Sequence, residues 1–242
     1  MRISRLYQPV ALTSGDAIEL DDENAHYVRT VLRLKKNSEI ILFNGQGGEY
    51  QARVLEAHRK RVVIEVNEWN DRNVESSLQV AFGLSISRGS RMDFAIQKAV
   101  ELGVNAMTPL TTERSVVKLN EETMQQKCRH WQKIAQHASE QSGRTILPLM
   151  SRVATLSDWL EKQPGLKIFL DPKAQNKLSQ LKPEQNQITL LAGPEGGFSE
   201  QERILAQDSG FTPVQMGPRV LRSETAALTA LAAVQTLWGD YG

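Results

Sequence analysis

An α/β domain on a mostly parallel sheet, preceded by a small β-rich domain, is the architecture this sequence predicts. Three observations carry it. From residue 78 onward, continuous apolar runs alternate with helical stretches, the pattern of a parallel sheet covered on both faces. Before residue 70, apolar and polar residues alternate instead, as in half-buried antiparallel strands. A polar stretch without periodicity separates the two patterns. The expected domains are therefore 1–70 and 78–242, with a linker at 71–77.

The elements follow in order. Residues 22–32 read as a short helix carrying His26, Arg29 and Arg33. Residues 39–43 form a strand, and Asn44-Gly45-Gln46-Gly47-Gly48 a turn whose residues tolerate positive φ. Residues 49–56 and 61–68 complete a small barrel with one packed helix. In the second domain, 78–85 is a buried strand. A helix at 92–102 stops at Gly103, a favoured C-terminal cap, and 105–110 is a strand. Residues 121–142 form a long helix, and 166–170 and 188–192 are continuous apolar strands. Ser199 with Glu202 makes a capping box that opens the next helix. Ser223 is the expected N-cap of the last helix, 223–238, whose alanines form a small-residue face suited to a second copy of the chain.

The composition is ordinary for a globular protein: 242 residues, 40% hydrophobic and 24% charged. A net charge of +1 excludes a strongly basic nucleic-acid footprint but not local patches. Such patches exist at Arg29, Arg33, Lys35 and Lys36, and again at Arg88 and Arg91. Cys128 is the single cysteine, so no disulfide forms within the chain. The N-terminus has no apolar core of a signal peptide, and the longest apolar run is too short for a bilayer. A cytoplasmic protein without a membrane partner is expected. His130 and His137 lie seven residues apart without a third ligand, so no metal is expected.

Two glycine turns carry the functional reading. Gly193-Pro194-Glu195-Gly196-Gly197 follows strand 188–192, at the edge where open α/β sheets bind ligands. Met216-Gly217-Pro218 leads through Arg219 and Arg222 into Glu224, Thr225 and the alanine-rich helix. The first turn fits neither a dinucleotide fingerprint nor a Walker loop, and its acid suits a neutral or cationic ligand. Plain strand-to-helix connections also use glycines, and Glu224 also suits a helix N-terminus. Arg88, Arg91 and Arg114 follow strand ends and suit phosphates; they also suit simple solvation. Arg144, after the long helix, suits that helix's C-terminal dipole.

These residues resemble the RsmE branch of the SPOUT methyltransferases. The two turns carry the resemblance, and so do Arg91-Met-Asp-Phe-Ala-Ile-Gln-Lys-Ala-Val-Glu-Leu-Gly103, Thr112-Glu-Arg-Ser-Val116 and Glu140-Gln-Ser-Gly-Arg144. His26-Tyr-Val-Arg-Thr-Val-Leu-Arg-Leu-Lys35 and Phe43-Asn-Gly45 extend it into the first domain. One departure is Ser85, where many relatives carry lysine, so a phosphate contact is not expected there.

The resemblance implies a PUA-like RNA-binding β-barrel followed by a SPOUT domain with a C-terminal trefoil knot. It implies a homodimer that methylates N3 of a uridine in 16S ribosomal RNA with S-adenosylmethionine; the spread of the basic clusters points to the assembled 30S subunit, and free RNA stays open as the substrate. Expected cofactor contacts are Leu191, Gly193, Pro194, Glu195, Gly196, Gly197, Met216, Gly217, Leu221, Thr225 and Ala226, with Leu191 and Leu221 sandwiching the adenine. Arg222 is the expected stabiliser of developing charge and Glu224 the candidate base. Arg29, Arg33, Arg88, Arg91, Arg114 and Arg144 are the expected RNA contacts. Two alternatives stay open: another SPOUT RNA methyltransferase acting on a ribose 2′ hydroxyl or on tRNA, and a non-catalytic RNA-binding assembly factor.

Overall fold

The computed structural model describes residues 3–58, 61–115 and 120–242, so Val116 of the quoted motif lies outside the described residues. The chain divides into two units. One is Met1–Glu75 with Ser139–Leu147; the other is Ser76–Ala138 with Pro148–Gly242.

The first unit is a five-stranded sheet in the order β1-β3-β4-β5-β2. Its strands are β1 (Ser4–Tyr7), β2 (Ala17–Glu19), β3 (Glu39–Phe43), β4 (Glu49–His58) and β5 (Arg61–Asn70). Sequence reading missed β1 and β2, which are too short for an alternating pattern to stand out. It also ended β4 and β5 two residues early. β1 runs parallel to β3, with Leu6 opposite Leu42, whereas the other neighbours are antiparallel. Leu6, Val28, Leu42, Val54, Ile64 and Val66 are fully buried in its core. The expected helix 22–32 is α1 (Asp22–His26), capped by Asp21, continuing as a π-helical turn through Tyr27–Val31. There the Leu32 amide reaches back five residues to the Tyr27 carbonyl at 3.0 Å. Arg33 falls beyond the helix, exposed, at φ 55°. Burial, reinforced by the Glu140 carboxylate, raises the Tyr27 phenol above its ordinary value, so the ring stays neutral.

Residues 139–147 were expected within the second domain, but they belong to the first unit. Hydrogen bonds explain this. The Tyr7 amide donates to Glu140 at 3.0 Å, Arg72 donates to the Gly143 carbonyl at 2.6 Å, and Gln46 bridges Ile146. Arg144 corrects an expectation. It is 4% exposed, and its guanidinium grips both oxygens of Glu75, at 3.2 and 3.0 Å through Nε. A buried charge needs a partner, and this arginine already has one, so it is not presented to RNA. Arg5 and Glu49 form a second buried pair.

The second unit is an all-parallel sheet in the order β12-β10-β11-β6-β7-β8, with β9 also pairing β7. Its strands are β6 (Gln79–Ser85), β7 (Ala106–Thr111), β8 (Leu149–Met150), β9 (Ala154–Thr155), β10 (Leu166–Leu170), β11 (Gln187–Ala192) and β12 (Thr212–Val214). Alternate residues of these strands feed two cores. Phe82, Leu84, Ile168, Leu190 and Ala192 pack with α2 (Ser90–Glu101), α3 (Glu121–Ser142) and α6 (Ser223–Trp238). Gly83's neighbours Leu110 and Trp159, with Phe169, Leu191 and Phe211, pack with α4 (Leu156–Leu160) and α5 (Glu200–Asp208). Helices therefore cover both faces, as expected from the alternation. The short β8, β9, β12 and α4 left no readable period. Gln235 ties α6 to the end of α2, donating to the Leu102 carbonyl at 3.1 Å and accepting from Ser76 at 2.8 Å. Among the described residues, no helix is long and apolar enough to cross a membrane.

Replacing Arg144 by alanine strands the buried Glu75 carboxylate. The expected loss is about 3–5 kcal/mol, read as a lower urea midpoint.

Candidate active site

Parallel strands in register end together, so the loops that follow them meet at one edge. Pro213, Phe169, Leu191, Gly83 and Thr108 lie on one level across β12, β10, β11, β6 and β7. Beyond that level a cavity of about 520 Å³ opens within the second unit. This lies in the range of roughly 300–1,000 Å³ usual for small-molecule sites. Its walls come from 170–173 after β10, 192–198 after β11, and 220–223 with Ala226 at the start of α6. Arg91, Arg114 and Arg203 complete it. A smaller hollow of about 70 Å³ lies beside Met216, Gly217 and Arg219, sharing Leu170, Asp171, Leu221 and Ala226 with the first.

The two glycine turns are thus brought together. Gly193, Pro194, Glu195, Gly196, Gly197, Leu221, Arg222 and Ala226 line the larger cavity, and Met216 and Gly217 the smaller. Gly197 and Gly217 have φ of 67° and 90°, conformations that side chains other than glycine's adopt only with strain. A Cβ at Gly193 would press on the Phe198 ring at 3.1 Å. Two expected contacts and the candidate base fall elsewhere. Leu191 is fully buried on the opposite face of the sheet, among Phe169 and Phe198, so its side chain is not open to an adenine; Ala192, one residue on, lines the cavity instead. Thr225 is exposed and outside the lining. Glu224 is also outside it, with one carboxylate oxygen buried and unpartnered among the described residues.

Charge around the cavity is mostly paired. Arg203 bonds Asp171 at 2.6 Å, and Arg91 bonds Glu195 at 3.1 Å. Arg114 donates to the Gly196 carbonyl at 3.0 Å. Arg222 is exposed at the rim without an ion pair among the described residues. It is also the N-cap residue of α6, one position before the expected Ser223, and its carbonyl accepts from Ala226. Arg88, Gly89 and Ser90 line a separate open hollow with Arg91 and Glu195. In the first unit, Arg29 turns back onto its own helix, donating to the Ala25 carbonyl at 3.1 Å. Ser85 is fully buried with its hydroxyl unpartnered among the described residues, consistent with no phosphate contact.

Glu202 organises the site from behind. It completes the capping box with Ser199 and also accepts from the Glu113 amide at 2.8 Å, fixing the loop that carries Arg114. Sequence reading missed Asp171, Lys173 and Arg203. An acid and a proline directly after the apolar strand 166–170 were the available signal. No group of acids, histidines or cysteine among the described residues has metal-site geometry.

This cavity fits S-adenosylmethionine. Leu170, Ala192, Leu221 and Ala226 supply apolar wall, the glycines leave main-chain groups bare, and Asp171, paired with Arg203, lines the same cavity. Comparison with known proteins agrees in kind. Residues 74–235 match an RNA methyltransferase domain and residues 20–67 an RNA methyltransferase PUA domain. A ribosomal RNA small subunit methyltransferase E structure from Neisseria gonorrhoeae, bound to S-adenosylmethionine, superposes with a TM-score of 0.93 at 37% identity over 100% of both chains. A structure from Legionella pneumophila with bound cofactor reaches 0.97 at 37% identity, covering 99% of this chain and 100% of that one. Fold, cavity and domain matches define an RNA methyltransferase with a PUA domain. The ribosomal RNA small subunit methyltransferase E of Buchnera aphidicola from Schizaphis graminum is 34% identical over 99% of this chain and 98% of its own. The chain belongs to the ribosomal RNA small subunit methyltransferase E family.

Replacing Glu202 by alanine removes its half of the capping box and the Glu113 anchor together, while Ser199 still caps the helix. Stability is expected to fall by about 1–2 kcal/mol, and the Glu113 amide to exchange faster in hydrogen–deuterium measurements.

Proposed function

We propose that this protein transfers a methyl group from S-adenosylmethionine to N3 of one uridine in 16S ribosomal RNA, within the small subunit. The observation that carries the reading is the convergence of the two glycine turns on two adjoining hollows that share Leu170, Asp171, Leu221 and Ala226, with the unpaired Arg222 at the rim of the larger. S-adenosylmethionine supplies an electrophilic methyl carbon, so the protein's task is to hold the nucleophile in line with it. The loop 193–197 grips through peptide groups, and Leu221 with Ala192 and Ala226 contacts the apolar parts.

Uridine N3 carries a proton at neutral pH. Glu224, with its buried and unpartnered carboxylate oxygen, is the candidate to take it. Arg222 stabilises the negative charge that spreads onto the flanking carbonyl oxygens. The target base leaves its stack to reach the methyl. Arg88, Arg91 and Arg114 meet the RNA backbone nearby; Arg29 and Arg33 do so from the first unit.

We read the second unit as the SPOUT fold with a C-terminal trefoil knot, and the first as a PUA-like barrel. Support for the knot is that residues 220–223 share one cavity with both 171–173 and 193–198. The active form is a homodimer acting in the cytoplasm. Val220 is 88% exposed beside the cavity, and Leu237 and Tyr241 leave apolar surface at the chain's end.

Incubation with labelled S-adenosylmethionine and 30S subunits lacking the mark should place label at uridine N3; label elsewhere, or none, refutes the reading. Arg222→Ala is expected to lower kcat by about 10²–10³-fold while cofactor titration and melting temperature hold. Sedimentation that finds only a 27.1 kDa species at micromolar concentration would count against the dimer.

A further inference from the structure

A cavity of the first unit is not used by the reading above. It measures about 660 Å³ and lies wholly within that unit. Three aromatic rings, Tyr7, Tyr50 and Trp69, share its wall with Asn44, Asp71 and Arg72. Aromatic faces beside amide, carboxylate and guanidinium groups are the chemistry that receives an unstacked base: a π face to stack on and polar groups for its edge.

The rings are held by neighbouring groups. The Tyr50 hydroxyl donates to the Leu12 carbonyl at 2.8 Å, and its ring lies 4.7 Å from that of Trp69. Tyr7 packs on Phe43 at 5.7 Å. Trp69, at the end of β5, remains 44% exposed. Part of the ring is therefore open to a ligand. The turn before β4 is shaped around this ring. Gly48 sits at φ 64°, and a Cβ there would come within 1.9 Å of Trp69, so only a bare backbone allows the indole its place. Gly47, beside it in the lining, has open space where a side chain would be. Arg72 is anchored on the Gly143 carbonyl and faces Glu49, which leaves its charge half-buried at the rim. Asp71 makes no ion pair among the described residues and is free to accept from a base N–H.

We infer that this cavity is a nucleobase-binding site that takes one unstacked base of single-stranded RNA against Trp69. The inference rests on the RNA substrate of the proposed function but not on the reaction.

The test uses the full chain and an eight-nucleotide mixed-sequence oligoribonucleotide without S-adenosylmethionine. Ultraviolet cross-linking should mark the peptide that contains Trp69, and fluorescence anisotropy should report binding. W69A is expected to weaken binding about tenfold, W69F to restore most of it, and D71N to change which homopolymer binds best. Circular dichroism and thermal melting are run on each variant as an independent check of folding. Wild-type affinity in both W69A and D71N overturns the site, as do cross-links confined to the second unit. A ring protected by a ribosomal protein but not by RNA also overturns it. Methylation of 30S subunits measured in parallel separates the two ideas: an intact reaction with no effect of W69A on oligonucleotide binding removes this site and leaves the proposed function standing.

Discussion

Everything at the active site depends on parallel strands that stop together. Five strands of the second unit share one level, from Pro213 through Phe169, Leu191 and Gly83 to Thr108. Parallel strands need long crossovers, so each returning helix leaves from the same edge as its neighbours. The loops have no choice but to crowd there. Glycine is then a requirement of space and backbone conformation together: Gly197 and Gly217 turn at positive φ, and Gly193 passes beneath the Phe198 ring.

Crowding alone would leave the loops mobile. What holds them is a set of carboxylates facing inward. Glu202 caps its own helix with one oxygen and holds the Glu113 amide with the other. Asp171 accepts from the Lys173 amide and forms an ion pair with Arg203. Each acid engages two segments or two groups at once, and removing it would leave buried or half-buried partners unsatisfied. The exposed Arg222 stands apart from this set, which leaves its charge available to a ligand.

Much of this was legible in the sequence. The alternation of apolar runs and helices announced the parallel sheet, and the capping box at Ser199 and Glu202 appears as read. Both glycine turns were recognisable, and they do meet. What was not legible follows a physical pattern. Strands of two to four residues, such as β2, β8 and β12, hold no period to detect. The family resemblance made Leu191 one side of an adenine sandwich, but its side chain packs in the buried cluster with Phe169 and Phe211, and Ala192 lines the cavity instead. Asp171 carries no motif; only its place after a strand marks it. The transfer of residues 139–147 to the first unit depends on hydrogen bonds from Tyr7 and Arg72, partners far away in sequence.

Arginine shows how far a residue type underdetermines its role. The chain's net charge of +1 conceals arginines of two kinds. Arg5 and Arg144 are nearly fully buried, each against its own glutamate. Those pairs order backbone, since Arg5 also holds the Arg144 carbonyl. Arg88, Arg114 and Arg222 are exposed at strand-end loops of the second unit. A guanidinium in water keeps its charge for a phosphate or for charge that develops during reaction, whereas a buried one has already committed it. The two kinds look alike in sequence, because Arg144 follows a helix and glycine much as Arg222 precedes one. Burial separates them, and burial is set by which carboxylate the fold brings within reach.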